Sequence, residues 1–98
     1  MSEIKIDELY RETMKYWTNE SQIMQTVEEM SELTKEIVKN VIRHKDNLDA
    51  IIEEAADVEI TLGQLECCYG ITEKVAAYKA EKLKLIAQRL EDWKKKDK

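Results

Sequence analysis

The chain has 98 residues, which suits a single domain over residues 1–98 with a small hydrophobic core. Two glycines, no proline and 38% charged residues leave few of the residue types that strands and tight turns need, so the composition favours an all-α protein. A formal net charge of −5 argues against a nucleic-acid backbone as the main partner.

Four amphipathic segments follow one another along the chain. The first is short and places apolar residues at three- and four-residue steps over residues 6–17. The second helix is predicted over about 21–43 and the third over about 48–69, each with an apolar stripe along one side. The fourth begins near residue 72 and carries its apolar side chains over 75–93. We interpret these stripes as core positions.

Polar residues and a glycine mark the ends of the predicted helices. Asp46 or Asn47 can cap the third helix, Gly70 suits the left-handed position after it, and Thr72 can cap the fourth. The short connections favour antiparallel neighbours, with the second and third helices as a central hairpin. The expected fold is therefore a four-helix, antiparallel bundle completed by oligomerisation, as a dimer or a dimer of dimers.

The sequence gives no sign of export or membrane insertion. No apolar stretch approaches the roughly 18 residues of a membrane span, and no apolar signal segment follows Met1. Cys67 and Cys68 are adjacent and lack CxxC spacing, which favours reduced thiols over a disulfide or a zinc site. We expect a cytoplasmic protein without a membrane or nucleic-acid partner.

Two acidic clusters lie on the two helices of the predicted hairpin. Glu29 with Glu32, and Glu54 with Asp57, are spaced i, i+3, so each pair shares a helix face and its charges repel. If the helices pack antiparallel, the four carboxylates converge and a hard divalent cation can offset the repulsion. The alternative is a solvated acidic face with no metal.

These clusters carry a resemblance to a known family. The segment EEMSELTKEI, residues 28–37, resembles the EExxEL motif of the MazG-like, all-α nucleoside triphosphate pyrophosphohydrolases. The segment EEAADVEITLGQL, residues 53–65, resembles their second motif, ExxD followed by an apolar run. The resemblance covers about residues 20–90 and is closest to the small single-domain, phage- and Firmicute-type members.

The resemblance implies hydrolysis of a nucleoside triphosphate to a nucleoside monophosphate and pyrophosphate. Glu29, Glu32, Glu54 and Asp57 would hold Mg²⁺, with Mn²⁺ as an alternative, against the phosphates. Glu28 fills the leading position of the first motif and would orient or deprotonate the attacking water.

The resemblance implies substrate contacts less directly. Many relatives place a lysine and an asparagine in the last helix to bind the triphosphate. This chain has no asparagine there, so Lys79 and Lys82 are the candidates, with solvated lysines as the alternative. Trp17 and Gln22 are the candidates for a nucleobase pocket, and the alternative for Trp17 is a core position.

Two other functional classes are alternatives for a small helical chain, and the sequence argues against the first of them. A ferritin-like di-iron bundle needs an ExxH motif on each of two helices, whereas His44 is the single histidine and falls in a predicted turn. A non-catalytic helical dimerisation or regulatory module would show the same stripes. Convergence of the carboxylates favours the enzyme, and scattered carboxylates favour the module.

Overall fold

The computed structural model describes residues 4–96 and is helical throughout, apart from short connections. The helices are α1 (Ile6–Tyr16), α2 (Asn19–Arg43), α3 (Leu48–Tyr69) and α4 (Thr72–Lys96). The predictions of an all-α fold and of four helices are confirmed for this part of the chain. None of its helices combines the length and apolar character that crossing a membrane requires.

Local hydrogen bonds explain where the helices begin and end. The Thr18 side chain accepts a hydrogen bond from the Ser21 backbone N–H at 3.1 Å, so Thr18 is the N-cap of α2 and the helix starts two residues before the predicted Ser21. Gly70 adopts the predicted left-handed conformation after α3, with φ of 65°. Thr72 does not precede the last helix as a cap, because it is the first residue of α4.

The side chain of Asn47 stabilises the connection between α2 and α3. Asn47 occupies the N-cap position of α3, but its side chain makes no capping hydrogen bond. Its Nδ2 instead donates to the Glu36 backbone oxygen at 2.9 Å and to Glu36 Oε1 at 3.0 Å. The hydrogen bond from Asn47, followed by that from Lys39, lowers the pKa of Glu36 below its ordinary value. These bonds tie the start of α3 to the last turns of α2.

The principal packing of the chain is the hairpin formed by α2 and α3. Thr26 in α2 is almost fully buried, and its Oγ1 lies 3.1 Å from the backbone oxygens of both Gln22 and Thr61. The hydroxyl proton of Thr26 is therefore shared between a carbonyl of α2 and a carbonyl of α3. Since Thr26 faces Thr61 while the chain turns at residues 44–47, the two helices run antiparallel.

Helix α1 packs against α3 through an aromatic ring on a glycine. A Cβ placed on Gly63 would lie 2.5 Å from Tyr10 Cε2, which is closer than real side chains approach. Tyr10 is half-buried, and burial, followed by the charges of Glu66 and Asp7, raises its pKa. Glycine at position 63 thus allows α1 to lie against the hairpin.

Most of the apolar stripes are not buried within one chain, which corrects the expectation that they form its core. Among the described hydrophobic residues, Val58 is the one that is buried, with 9% of its surface exposed. Side chains predicted as core, such as Val41, Leu83 and Trp93, are 60%, 55% and 70% exposed. Every residue of α4 is exposed, and the radius of gyration is 17.6 Å, against about 13 Å for a compact chain of this length.

Candidate metal centre

A polar stripe runs along the inner side of the hairpin and contains the candidate site. On each helix its residues recur at three- and four-residue steps, so they share one face. The stripe consists of Gln22, Thr26 and Glu29 on α2, and of Glu54, Asp57, Thr61 and Gln64 on α3. The contact of Thr26 with Thr61 sets the register of the two helices, and this register brings Glu29 level with Asp57.

Three carboxylates of this stripe converge. One oxygen from each of Glu29, Glu54 and Asp57 lies within 4.8 Å of the other two, and all three side chains are half-buried. Glu54 Oε2 is shielded from solvent and has no hydrogen-bond partner among residues 4–96. A carboxylate oxygen in that position loses hydration without a compensating donor, which is unfavourable unless a cation or a proton meets it.

The environment of the cluster raises the pKa of Glu54. Burial is the largest cause that raises its pKa above the ordinary value, followed by the charges of Asp57, Glu29, Glu32 and Glu53. Both effects disfavour the ionised carboxylate. Either a proton or a metal ion at this position relieves them.

The cluster fits a divalent cation with oxygen ligands. Mg²⁺ binds oxygen at about 2.1 Å, so two of its ligands lie at most about 4.2 Å apart. Three oxygens within 4.8 Å of one another need only small side-chain rotations to reach that spacing. Three carboxylates are also a suitable number, because Mg²⁺ keeps waters or phosphate oxygens in its remaining positions.

The structure separates the other two acidic candidates from the three that converge. Glu32 is exposed and lies outside the group, although its charge contributes to the raised pKa of Glu54. It follows Glu29 by three residues and therefore lies about 60° round the helix from it. Glu28 is exposed, next to Glu29 in sequence but on the outer side of α2.

A pocket of about 320 Å³ lies beside the cluster and includes both residues predicted for the nucleobase. It is lined by Trp17, Ser21, Gln22, Gln25 and Gln64. None of these side chains is charged, so the pocket suits a neutral polar group better than a phosphate. The structure thus brings Trp17 and Gln22 together, and Trp17 is 56% exposed instead of buried in a core.

Three glutamine side chains line this pocket, and the contacts of Gln22 and Gln25 define its hydrogen-bonding character. Gln22 is only 6% exposed, and its Nε2 has no partner among the described residues. Thr13 Oγ1 lies 3.3 Å from Gln22 Oε1 but also 2.7 Å from the Tyr10 backbone oxygen, and a hydroxyl has one proton to give. Gln25 Nε2 donates to Glu29 Oε1 at 2.7 Å, so one residue belongs to the pocket wall and contacts the carboxylate cluster.

The two lysines predicted to bind the triphosphate are not brought to this site in the single chain. Both lie on α4 and are exposed. Lys82 Nζ sits 5.4 Å from the centre of the Tyr78 ring, and Lys79 lines a shallow apolar surface with Tyr78. Within residues 4–96, neither shares a hydrogen bond or an ion pair with the carboxylates.

Two pocket residues, Gln25 and Gln64, were not among the sequence predictions. The sequence does contain a signal for them. Gln25 precedes Glu29 by four residues, and Gln64 follows Asp57 by seven, so each shares a helix face with a candidate ligand. Extending the acidic pairs along their faces would have included both.

Comparison with known proteins adds no relative to these observations. No protein-family model, no curated protein and no solved structure matches the chain.

Proposed function

We propose that this protein is a Mg²⁺-dependent pyrophosphohydrolase that cleaves a nucleoside triphosphate into a nucleoside monophosphate and pyrophosphate. The observation that carries the proposal is the convergence of Glu29, Glu54 and Asp57 from two helices, next to an uncharged pocket. The resemblance of residues 28–37 and 53–65 to the MazG-like motifs supplies the reaction type. Mn²⁺ is the alternative cation, because it accepts the same oxygen ligands.

Each residue of the site has a specific role in this proposal. Glu29, Glu54 and Asp57 bind the cation, and Glu32 completes the ligand set through water or after a rotation of its side chain. When bound at these residues, the cation would supply Lewis-acid stabilisation of the charge that develops on the leaving pyrophosphate. Glu28 is the residue that the resemblance assigns to the attacking water, although it lies on the outer side of α2 in the single chain.

The nucleotide is held at its two ends by different chemistry. Trp17 stacks on the base, and Gln22 hydrogen-bonds to it in the uncharged pocket. Lys79 and Lys82 are the candidates for binding the outer phosphates, since their charge is not used in any ion pair among residues 4–96.

The apolar surface of the single chain supports an assembly of identical chains, a dimer or a dimer of dimers. Leu83, Ile86, Leu90 and Trp93 recur at three- and four-residue steps on α4, and each is more than half exposed. A continuous apolar stripe of this kind is favourable only when another surface covers it. A second copy of the chain offers a matching stripe, which symmetric association would bury.

The proposal is tested by measuring pyrophosphate release from a panel of canonical and modified nucleoside triphosphates, with and without Mg²⁺. Asp57→Asn removes one ligand of the cluster and should abolish metal-dependent turnover. Asp49→Asn is the matched control, because Asp49 is an exposed aspartate in the first turn of the same helix. A non-catalytic dimerisation module would give no turnover with any member of the panel.

A further inference from the structure

Gln25 occupies a position that no other residue of the site shares. Its side chain forms part of the wall of the pocket that contains Trp17 and Gln22. Its Nε2 also donates to Glu29 Oε1 at 2.7 Å, which is a short hydrogen bond to a charged acceptor. One residue therefore lines the uncharged pocket while its amide contacts the carboxylate cluster.

We propose that Gln25 is a positioning residue that couples the occupancy of the pocket to metal binding at the cluster. This inference rests on the proposed function, because it takes the cluster as the metal site and the pocket as the nucleobase site. It adds that the two are energetically linked through one side chain, so that each ligand strengthens the binding of the other.

The coupling follows from what the amide can do on its two sides. Donation to Glu29 Oε1 leaves Glu29 Oε2 free of this bond and restricts the rotation of the carboxylate. Residues that orient metal ligands in this way commonly change metal affinity by about 10- to 100-fold when they are removed. Gln25 is itself exposed, so its amide can rotate away from Glu29 when the pocket is empty.

A neutral planar ligand in the pocket would limit that rotation. The pocket is lined by the nearly buried Gln22 and by Gln64 as well as Gln25, so its lining residues carry amide donors and acceptors that suit a neutral polar group. A base held there contacts the amide of Gln25, fixes its orientation and thereby fixes Glu29 for the cation. By linkage, the cation must improve the affinity for the base by the same factor.

The test uses ligands that cannot interact with each other. Cytidine, uridine, adenosine and inosine carry no phosphate, so any effect of Mg²⁺ on their binding must pass through the protein. Nucleoside binding is followed by Trp17 fluorescence in a Trp93→Phe background, since the chain has two tryptophans. Mg²⁺ binding is followed by calorimetry with and without the nucleoside that binds most tightly.

We expect saturating nucleoside to lower the Kd for Mg²⁺ by about 5-fold or more, and saturating Mg²⁺ to lower the nucleoside Kd by the same factor. Gln25→Met keeps the volume of the side chain and removes the amide, so both factors should fall to one and Mg²⁺ alone should bind about 10-fold more weakly. Gln25→Ala is the second variant, should Gln25→Met disturb the fold.

Gln88→Met is the matched control. Gln88 Nε2 donates to Asp92 Oδ1 at 3.0 Å, which is the same i, i+4 bond between glutamine and a carboxylate, but on α4. This variant should keep the coupling of the wild type. Failure of all four nucleosides to bind, a coupling factor of one in the wild type, or unchanged coupling in Gln25→Met would overturn the proposal. Coupled binding without hydrolysis of any triphosphate would instead contradict the proposed reaction.

Discussion

Neutralising one carboxylate of the cluster should remove the stabilisation that Mg²⁺ gives to the folded protein. Glu54→Gln is the sharpest change, because Glu54 Oε2 is shielded from solvent without a hydrogen-bond partner among residues 4–96, and the neighbouring charges already disfavour its ionised form. The metal-free variant should be at least as stable as the wild type, since one of three mutually repelling charges is gone. It should respond far less to Mg²⁺, since a ligand is missing.

The size of the effect follows from linkage and from the length of the chain. Free Mg²⁺ at about a hundred times its Kd stabilises a protein with one site by about 2.7 kcal/mol. For a domain of 98 residues, each kcal/mol shifts the melting temperature by about 4–8 °C, so the wild type should gain about 10–20 °C. Glu53→Gln, an exposed neighbour with the same change in charge, should keep this gain.

Thermal melts followed by circular dichroism measure these shifts. Each protein is melted in EDTA, in Mg²⁺ and in NaCl of equal ionic strength. If NaCl stabilised the wild type as much as Mg²⁺ does, the effect would be charge screening and the metal site would be refuted. Equal gains from Mg²⁺ in the wild type and in Glu54→Gln would refute the assignment of Glu54 as a ligand.

Three further predictions test other parts of the structure. The raised pKa of Glu54 means that the folded protein binds the carboxyl proton more tightly than the unfolded chain does. The stability of the metal-free protein should therefore fall as the pH rises from the ordinary pKa of 4.5 through the raised pKa. Thermal melts at a series of pH values should show this fall in the wild type and not in Glu54→Gln. Ile86→Asp places a charge on the apolar face of α4 and should dissociate the assembly. Light scattering should give the wild type a mass that is a multiple of 11.5 kDa and the variant a mass of 11.5 kDa. A wild-type mass of 11.5 kDa would contradict self-association. Gly63→Ala would push the Tyr10 ring away from α3 and should cost about 1–3 kcal/mol in denaturant unfolding, and an unchanged midpoint would show that α1 adapts without strain.

The local parts of the fold could be predicted from the sequence because their causes are local. Apolar periodicity and polar end residues predict the bounds of the four helices to within a few residues, and Gly70 adopts the left-handed conformation that its position indicates. The predicted start of α2 lies two residues after the observed one, because Thr18 and Ser21 are both residue types that cap helices, and the hydrogen bond between them shows that Thr18 is the cap.

Packing between helices was harder to predict, since it depends on contacts that are distant in sequence. The spacing of the two motifs predicted that Glu29 and Glu54, together with Glu32 and Asp57, would converge. The observed register instead groups Asp57 with the first two and leaves Glu32 outside. Apolar periodicity likewise identified the faces of α4 that need burial, without indicating that this helix would leave most of its length unpacked.

Phosphorus NMR of the reaction products tests the central claim most directly. The wild-type protein is incubated with the nucleoside triphosphate that gives the highest turnover, once with Mg²⁺ and once with EDTA. Cleavage between the α and β phosphates predicts nucleoside monophosphate and pyrophosphate in equal amounts, formed only in the presence of Mg²⁺. Release of orthophosphate, turnover in EDTA, or intact substrate across the whole panel would contradict the account.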